Sequence, residues 1–250
     1  MNNVNAAFLL TIFAGLSTMI GTVIIFFKKK NENIVVSSLS FASGVMLTVS
    51  ITDLIPESYH LLGSIYKNFP TILYILIFIC IGVIFSMLID KYLPDTNTTN
   101  HKGLYRVGLI SMLAIILHNI PEGIATFMAT NSNINLGISL AIAIALHNIP
   151  EGISISVPLY YSTKSRGRAI LYTFISGLSE PFGALLTYLF LNQFITDKIM
   201  GFLFSFIAGV MIHISLYELL PTSKKYNKNK ITYIFFIIGI LFMIINHFIF

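Results

Sequence analysis

Apolar residues gather into eight long runs, at roughly 6–27, 34–55, 71–90, 104–128, 135–160, 168–191, 199–221 and 231–250, with short polar connections between them. Each run is about long enough to cross a hydrocarbon core as a helix. The pattern predicts an all-α integral membrane protein with eight transmembrane helices. The connections leave no room for a separate soluble domain, so residues 1–250 read as a single transmembrane domain.

Polar interruptions within the runs carry the chemistry. The string Leu-His-Asn-Ile-Pro-Glu-Gly-Ile occurs twice, at Leu117–Ile124 and Leu146–Ile153. In each copy a histidine and a glutamate stand four residues apart, His118 with Glu122 and His147 with Glu151. A helix presents such a pair on one face. Asn119 and Asn148 flank that face. Pro121 and Pro150 have no N–H and push aside the carbonyl four residues earlier, which loosens the Leu117 and Leu146 carbonyls beside the histidines. Each copy thus offers imidazole, amide, carboxylate and carbonyl at membrane depth, the ligands that hard and borderline divalent cations take. A further Glu-Pro pair, Glu180 and Pro181, lies in the sixth run within Ser-Gly-Leu-Ser-Glu-Pro at 176–181.

The runs also repeat. Residues 208–223 copy 43–58 at an offset of 165, with Gly44 matching Gly209, Met46 Met211, Ser50 Ser215, Asp53 Glu218 and Pro56 Pro221. A weaker match at an offset of 162 pairs Gly15, Leu16, Ser17 and Gly21 with Gly177, Leu178, Ser179 and Gly183. The second and seventh runs cross in opposite directions, as do the fourth and fifth, so each related pair is inverted. Helices one to three then mirror six to eight around a central fourth and fifth pair. Inverted repeats with interrupted helices near the midplane are the architecture of alternating-access transporters.

Composition strengthens the membrane reading: 56% of residues are hydrophobic, 10% are charged and the mean hydropathy is +0.84. The net charge of +5 does not point to nucleic acid, because every Lys and Arg lies outside the apolar runs or at their edges. Thirteen of the fifteen fall in odd-numbered connections, among them Lys28, Lys29, Lys30 and Lys102, and only Lys67 and Lys198 in even ones. The positive-inside rule makes the odd connections cytoplasmic and places both termini outside the cell membrane. With no basic residue before it and three after it, the first run reads as a span and not as a cleaved signal. Cys80 is the one cysteine, which excludes an internal disulfide and a thiolate metal cluster and reads as a small packing residue. His101 stands alone in the third connection, with no His-rich tract around it.

Asp53, Glu122, Glu151, Glu180 and Glu218 lie inside the runs, and no Lys or Arg accompanies them at depth. Buried carboxylates of this kind must be protonated, solvated or neutralised by a bound cation. Three glutamates beside two histidines and two asparagines favour the cation. One cluster, His118, Glu122, His147 and Glu151, offers the mixed nitrogen and oxygen ligation that suits zinc. A second, of Asn119, Glu122, Asn148, Glu151 and Glu180, is richer in oxygen and suits iron(II) or manganese. Glu122 and Glu151 would bridge the two. Asp53 and Glu57 near one mouth, and His213 and Glu218 near the other, are possible path ligands. For His213 a hydrogen-bonded buried role competes with ligation. His60 and His247 read as interfacial.

At these residues the chain resembles the ZIP family of divalent-metal transporters, and within it the bacterial ZupT-type branch. The resemblance rests on His-Asn-Ile-Pro-Glu-Gly at 118–123 and 147–152, Ser-Gly-Leu-Ser-Glu-Pro at 176–181 and Glu-Leu-Leu-Pro at 218–221. It implies metal uptake into the cytosol through a binuclear site between the fourth, fifth and sixth helices. Carried over by position, that site falls on His118, Asn119, Glu122, His147, Asn148, Glu151 and Glu180. It also implies a broad cargo of Zn²⁺, Fe²⁺ and Mn²⁺. The short third connection, without a His-rich run, departs from many eukaryotic relatives and argues against regulation by loop-bound metal.

The rival from another class is an intramembrane metal-dependent hydrolase, because buried His and Glu sets also build catalytic zinc sites. The chain lacks His-Glu-x-x-His, and its ligands are duplicated rather than set around one open water position. A metal sensor would need an output domain. The expectation is therefore no enzyme and no cofactor, with metal as transported substrate and the lipid bilayer as surroundings. A homodimer is compatible with the fold.

Overall fold

Among the described residues, eight helices in the computed structural model are long and apolar enough to cross a membrane: Asn3–Phe26 (α1), Glu32–Gly63 (α2), Asn68–Tyr92 (α3), Leu104–Ser132 (α4), Ile134–Thr163 (α5), Arg166–Phe190 (α6), Asp197–Lys224 (α7) and Asn229–Ile249 (α8). The structure describes residues 3–27, 32–92, 103–191, 194 and 196–249, and among these there is no strand. Lys28, Lys29, Lys30, His101 and Lys102, used in the charge and loop arguments, lie outside the described residues.

One residue, Asn133, separates α4 from α5. Its backbone N–H closes α4 onto the Ala129 carbonyl, and its side chain accepts from the N–H groups of Asn135 (2.9 Å) and Leu136 (3.4 Å), capping α5. So tight a turn sets the register of the hairpin. His118 lies fifteen residues before Asn133 and His147 fourteen after it. At a constant rise per residue, the two histidines reach the same depth on adjacent antiparallel helices. Ser165 and Thr196 cap α6 and α7 in the same manner, accepting from Arg168 and Ile199 N–H groups at 3.3 Å each.

Four helices are wound irregularly among the described residues: α6 ends in a π turn over Thr187–Leu191, and α1, α2 and α7 change winding along their length. In α2 the segment Ser50–Leu54 opens into a π turn, with the Ile55 N–H bonded to the Ser50 carbonyl just ahead of Pro56. In α7 the same happens over Ile214–Leu219, with Leu220 bonded to Ser215 ahead of Pro221. Proline cannot donate and its ring crowds the preceding turn, and a wider turn accommodates both effects. In α1 the stretch Thr18–Phe26 is a tighter 3₁₀ helix. The Ser17, Thr18 and Thr22 hydroxyls there donate three residues back, to Ala14 (2.6 Å), Gly15 (2.7 Å) and Met19 (2.7 Å), which suits three residues per turn.

The helices pack as two groups. α1, α4, α5 and α6 cover one another; α2 packs on α7 and α8, and α7 on α3. The groups meet mainly where α2 lies against α5, and more lightly between α4 and α7. Lipid supplies no hydrophobic drive between helices, so close backbone approach at small residues holds them. A Cβ on Gly239 would strike the Phe41 carbonyl, and one on Gly82 the Phe206 carbonyl. Phe206 follows Phe41 by 165 residues, so the α2–α8 and α7–α3 crossings use matching positions. At the α2–α7 seam Ser43 donates to the Ser215 carbonyl (3.0 Å) and Ser215 to the Ser43 carbonyl (2.8 Å). Cys80 lies exposed on α3 and is not the small packing residue expected.

Candidate metal centre

The duplicated motif meets itself across the α4–α5 hairpin. His118, Asn119 and Glu122 project from α4, His147, Asn148 and Glu151 from α5, and Glu180 from α6. None of the seven is more than 6% exposed. Glu122 is the hub: its Oε1 lies 3.1 Å from His118 Nε2 and 2.9 Å from His147 Nε2. His118 Nε2 also stands 3.4 Å from Glu151 Oε1. One donor atom from each of His118, Glu122 and His147 lies within 4.8 Å of the others, close enough for a single ion to replace the N···O contacts.

Glu180 enters from the third helix. The Asn148 side-chain amide donates to Glu180 Oε2 at 2.9 Å, and also to the Ala14 carbonyl at 2.9 Å. Glu180 lies within electrostatic reach of Glu122 and Glu151. Close backbone contact makes this possible: a Cβ on Gly123 would collide with the Glu180 carbonyl, so α4 and α6 cross backbone to backbone at the site. Asn119 faces α6 as well, its amide donating to the Ser176 carbonyl at 3.3 Å.

The polar atoms of the centre are under-used. His118 Nδ1, His147 Nδ1, Asn119 Oδ1, Asn148 Oδ1, Glu122 Oε2, both Glu151 carboxylate oxygens and Glu180 Oε1 are buried without a hydrogen-bond partner. Such atoms are costly in a membrane interior, and three carboxylates with no Lys or Arg among them repel one another. A divalent cation would resolve both problems at once.

A family model described as "ZIP Zinc transporter" matches residues 94–247 of this sequence. The chain belongs to the ZIP family. Among its relatives, "Zinc transporter ZupT" of Clostridium perfringens is 38% identical over 278 aligned positions, covering 98% of this chain and 96% of the relative. "Zinc transporter ZupT" of Chlorobium chlorochromatii is 39% identical over 262 positions, covering 98% and 97%. The protein of that name from Streptococcus mutans is 38% identical over 253 positions, covering 96% of each. A ZIP chain is a multi-pass membrane transporter, so the hydrolase reading falls and the metal is cargo, not cofactor.

This ZIP chain does not gather the remaining candidates at the centre. Asp53 is half-buried on α2, bonded to His247 Nδ1 of α8 at 2.8 Å. Glu57 is exposed beyond it. His213 is buried on α7, sharing a hydrogen bond with Ser86 Oγ (2.9 Å) and stacking on Tyr217 (5.1 Å between ring centroids). Glu218, five residues further along in the widened segment, neighbours Asp90, which pairs with Arg106 at 2.6 Å. The interfacial expectation for His247 did not include its link to Asp53. No periodicity joins residues 194 positions apart, so only the folded arrangement of α2 and α8 reveals it.

Proposed function

We propose that the protein carries divalent transition-metal cations, Zn²⁺ foremost and also Fe²⁺ and Mn²⁺, across the cytoplasmic membrane into the cell through a two-ion centre. The observation that carries this reading is the burial of Glu122, Glu151 and Glu180 beside His118 and His147, with so many of their polar atoms unpartnered. His118, His147, Glu122 and Glu151 hold one ion; Asn119, Asn148 and Glu180, with the same two bridging glutamates, hold the other. The names of the relatives, all zinc transporters, support zinc as cargo.

In this reading both termini lie outside, metal arrives past Asp53 and Glu57, and it leaves past His213 and Glu218. Residues 1–250 act as one transporter unit. The matched crossings of α2 with α8 and α7 with α3, and the paired π turns, support an inverted repeat. The separation of the helices into two groups supports an elevator-like or rocking movement, with the centre carried wholly by α4, α5 and α6. Every ligand comes from one chain, so a homodimer would carry two independent centres.

Metal flux into proteoliposomes tests the proposal. Accumulation of Zn²⁺, Fe²⁺ or Mn²⁺ inside the vesicles is expected. Tight binding without accumulation would rule out transport.

A further inference from the structure

The four helices around the centre obey two offsets, 29 residues from α4 to α5 and 162 from α1 to α6. Contacts between α4 and α6 therefore have counterparts between α5 and α1. Gly123 on the Glu180 carbonyl corresponds to Gly152 on the Thr18 carbonyl, and Gly183 on Ile120 to Gly21 on Ile149. The Asn119 amide bonded to the Ser176 carbonyl (3.3 Å) corresponds to the Asn148 amide bonded to the Ala14 carbonyl (2.9 Å). His, Asn and Glu are identical in the two copies of the motif, so the chemical asymmetry must come from the outer pair of helices. It does: where α1 has Ala14 and Thr18, α6 has Ser176 and Glu180.

Ser176 and Glu180 are four residues apart and share a helical face. A hydroxyl buried in a membrane helix normally bonds back to a carbonyl three or four residues earlier. Thr18 does so (Gly15 carbonyl, 2.7 Å), as do Ser179 (Ser176 carbonyl, 2.5 Å) and Thr187 (Gly183 carbonyl, 2.9 Å). Ser176 does not. It is fully buried, yet its Oγ has no partner, a state it shares among the described residues with the Ser38, Ser40, Ser111 and Thr126 hydroxyls. Asn119 Oδ1, on the amide that grips the Ser176 carbonyl, and Glu180 Oε1, one turn along, are unpartnered as well.

We infer that Ser176 Oγ is a ligand of the oxygen-rich half of the centre and biases that half towards hard cations such as Mn²⁺. The inference rests on the two-ion reading above. A neutral hydroxyl adds an oxygen donor without adding to the charge of three glutamates, which is what a hard ion beside a second cation requires.

The test uses Cys80→Ala as background, which removes the only native thiol. Ser176→Cys in that background puts a thiolate at the assigned position. Titration with Cd²⁺ is expected to produce a thiolate-to-cadmium charge-transfer band in the ultraviolet that the background protein lacks. The Cd²⁺ to Mn²⁺ flux ratio in proteoliposomes is expected to rise about tenfold, the effect of roughly one ligand interaction. Ser176→Ala is expected to lower Mn²⁺ flux more than Zn²⁺ flux. Both variants nearly conserve volume, so a folding loss in one leaves the other to decide. Absence of the band would overturn the ligand assignment, and an unchanged ratio would overturn the selectivity role. Glu180→Ala separates this inference from the reading beneath it. If Glu180→Ala alters selectivity and the Ser176 variants do not, Ser176 is a packing residue in an intact centre. If Glu180→Ala also changes nothing, the two-ion reading itself fails.

Discussion

His147 reaches across the hairpin to Glu122, Nε2 to Oε1 at 2.9 Å, rather than to Glu151 one turn along its own helix. His118 already lies 3.1 Å from the same oxygen. Two imidazoles thus converge on one carboxylate, and the nitrogen donors of the centre act as a pair. Losing either should weaken Zn²⁺ more than Mn²⁺, because imidazole suits zinc and carboxylate oxygen suits manganese. His118→Ala and His147→Ala are each expected to raise the half-saturating Zn²⁺ concentration by about 10- to 100-fold. Mn²⁺ should shift less. Equal shifts for both metals in competitive uptake would remove the histidines from the ligand set.

The same pair sets the sign of the pH dependence. A metal needs unprotonated imidazole and carboxylate, so protons compete with it for the site. Uptake at fixed free Zn²⁺ is expected to fall as external pH is lowered. Glu122→Gln should remove most of the metal-dependent signal and leave no comparable pH response. A flat profile in the native protein would contradict this ligand set.

In the proposed orientation Asp53 lies on the entry side of the centre, held by His247 at 2.8 Å. A carboxylate in that position concentrates cations ahead of the site. Asp53→Ala is expected to raise the half-saturating metal concentration about tenfold while maximal flux is kept. If half-saturation stays put, Asp53 is only a solvated helix-end carboxylate.

Gly123 allows α4 and α6 to touch through their backbones at Glu180. Gly123→Ala must push the helices apart, at a cost of about 1–3 kcal/mol, and draw Glu180 away from Asn148. A lower melting temperature and a large loss of flux are expected. Gly63, with nothing within 4 Å of an added Cβ, is the control, and Gly63→Ala should change neither. Matching behaviour of the two variants would show that the crossing does not position Glu180.

Much of this arrangement was visible before the structure. Twenty-residue apolar runs can only be membrane helices, and a duplicated His-x-x-x-Glu spacing puts both side chains on one face of each copy. The structure adds the one-residue turn at Asn133 that brings the copies level. Other features depend on forces that no local pattern records. The 3₁₀ winding after Ser17 follows from a run of hydroxyls bonding to their own backbone. The π turns before Pro56 and Pro221 are relief of proline crowding, which a sequence marks as a break without stating its form. His247 meets Asp53 only because α8 packs along α2. The choice of Glu122 over Glu151 by His147 is decided by packing of two helices whose sequences there are identical.

The most direct measurement is Zn²⁺, Fe²⁺ and Mn²⁺ flux into proteoliposomes for the native protein, Glu122→Ala and Glu180→Ala. The account predicts that Glu122→Ala abolishes flux of all three metals, because both ions lose their shared carboxylate. Glu180→Ala should still move Zn²⁺ but with altered preference among the metals. Native flux and native selectivity in both variants would mean that the buried carboxylates are structural and that no two-ion transport centre exists here.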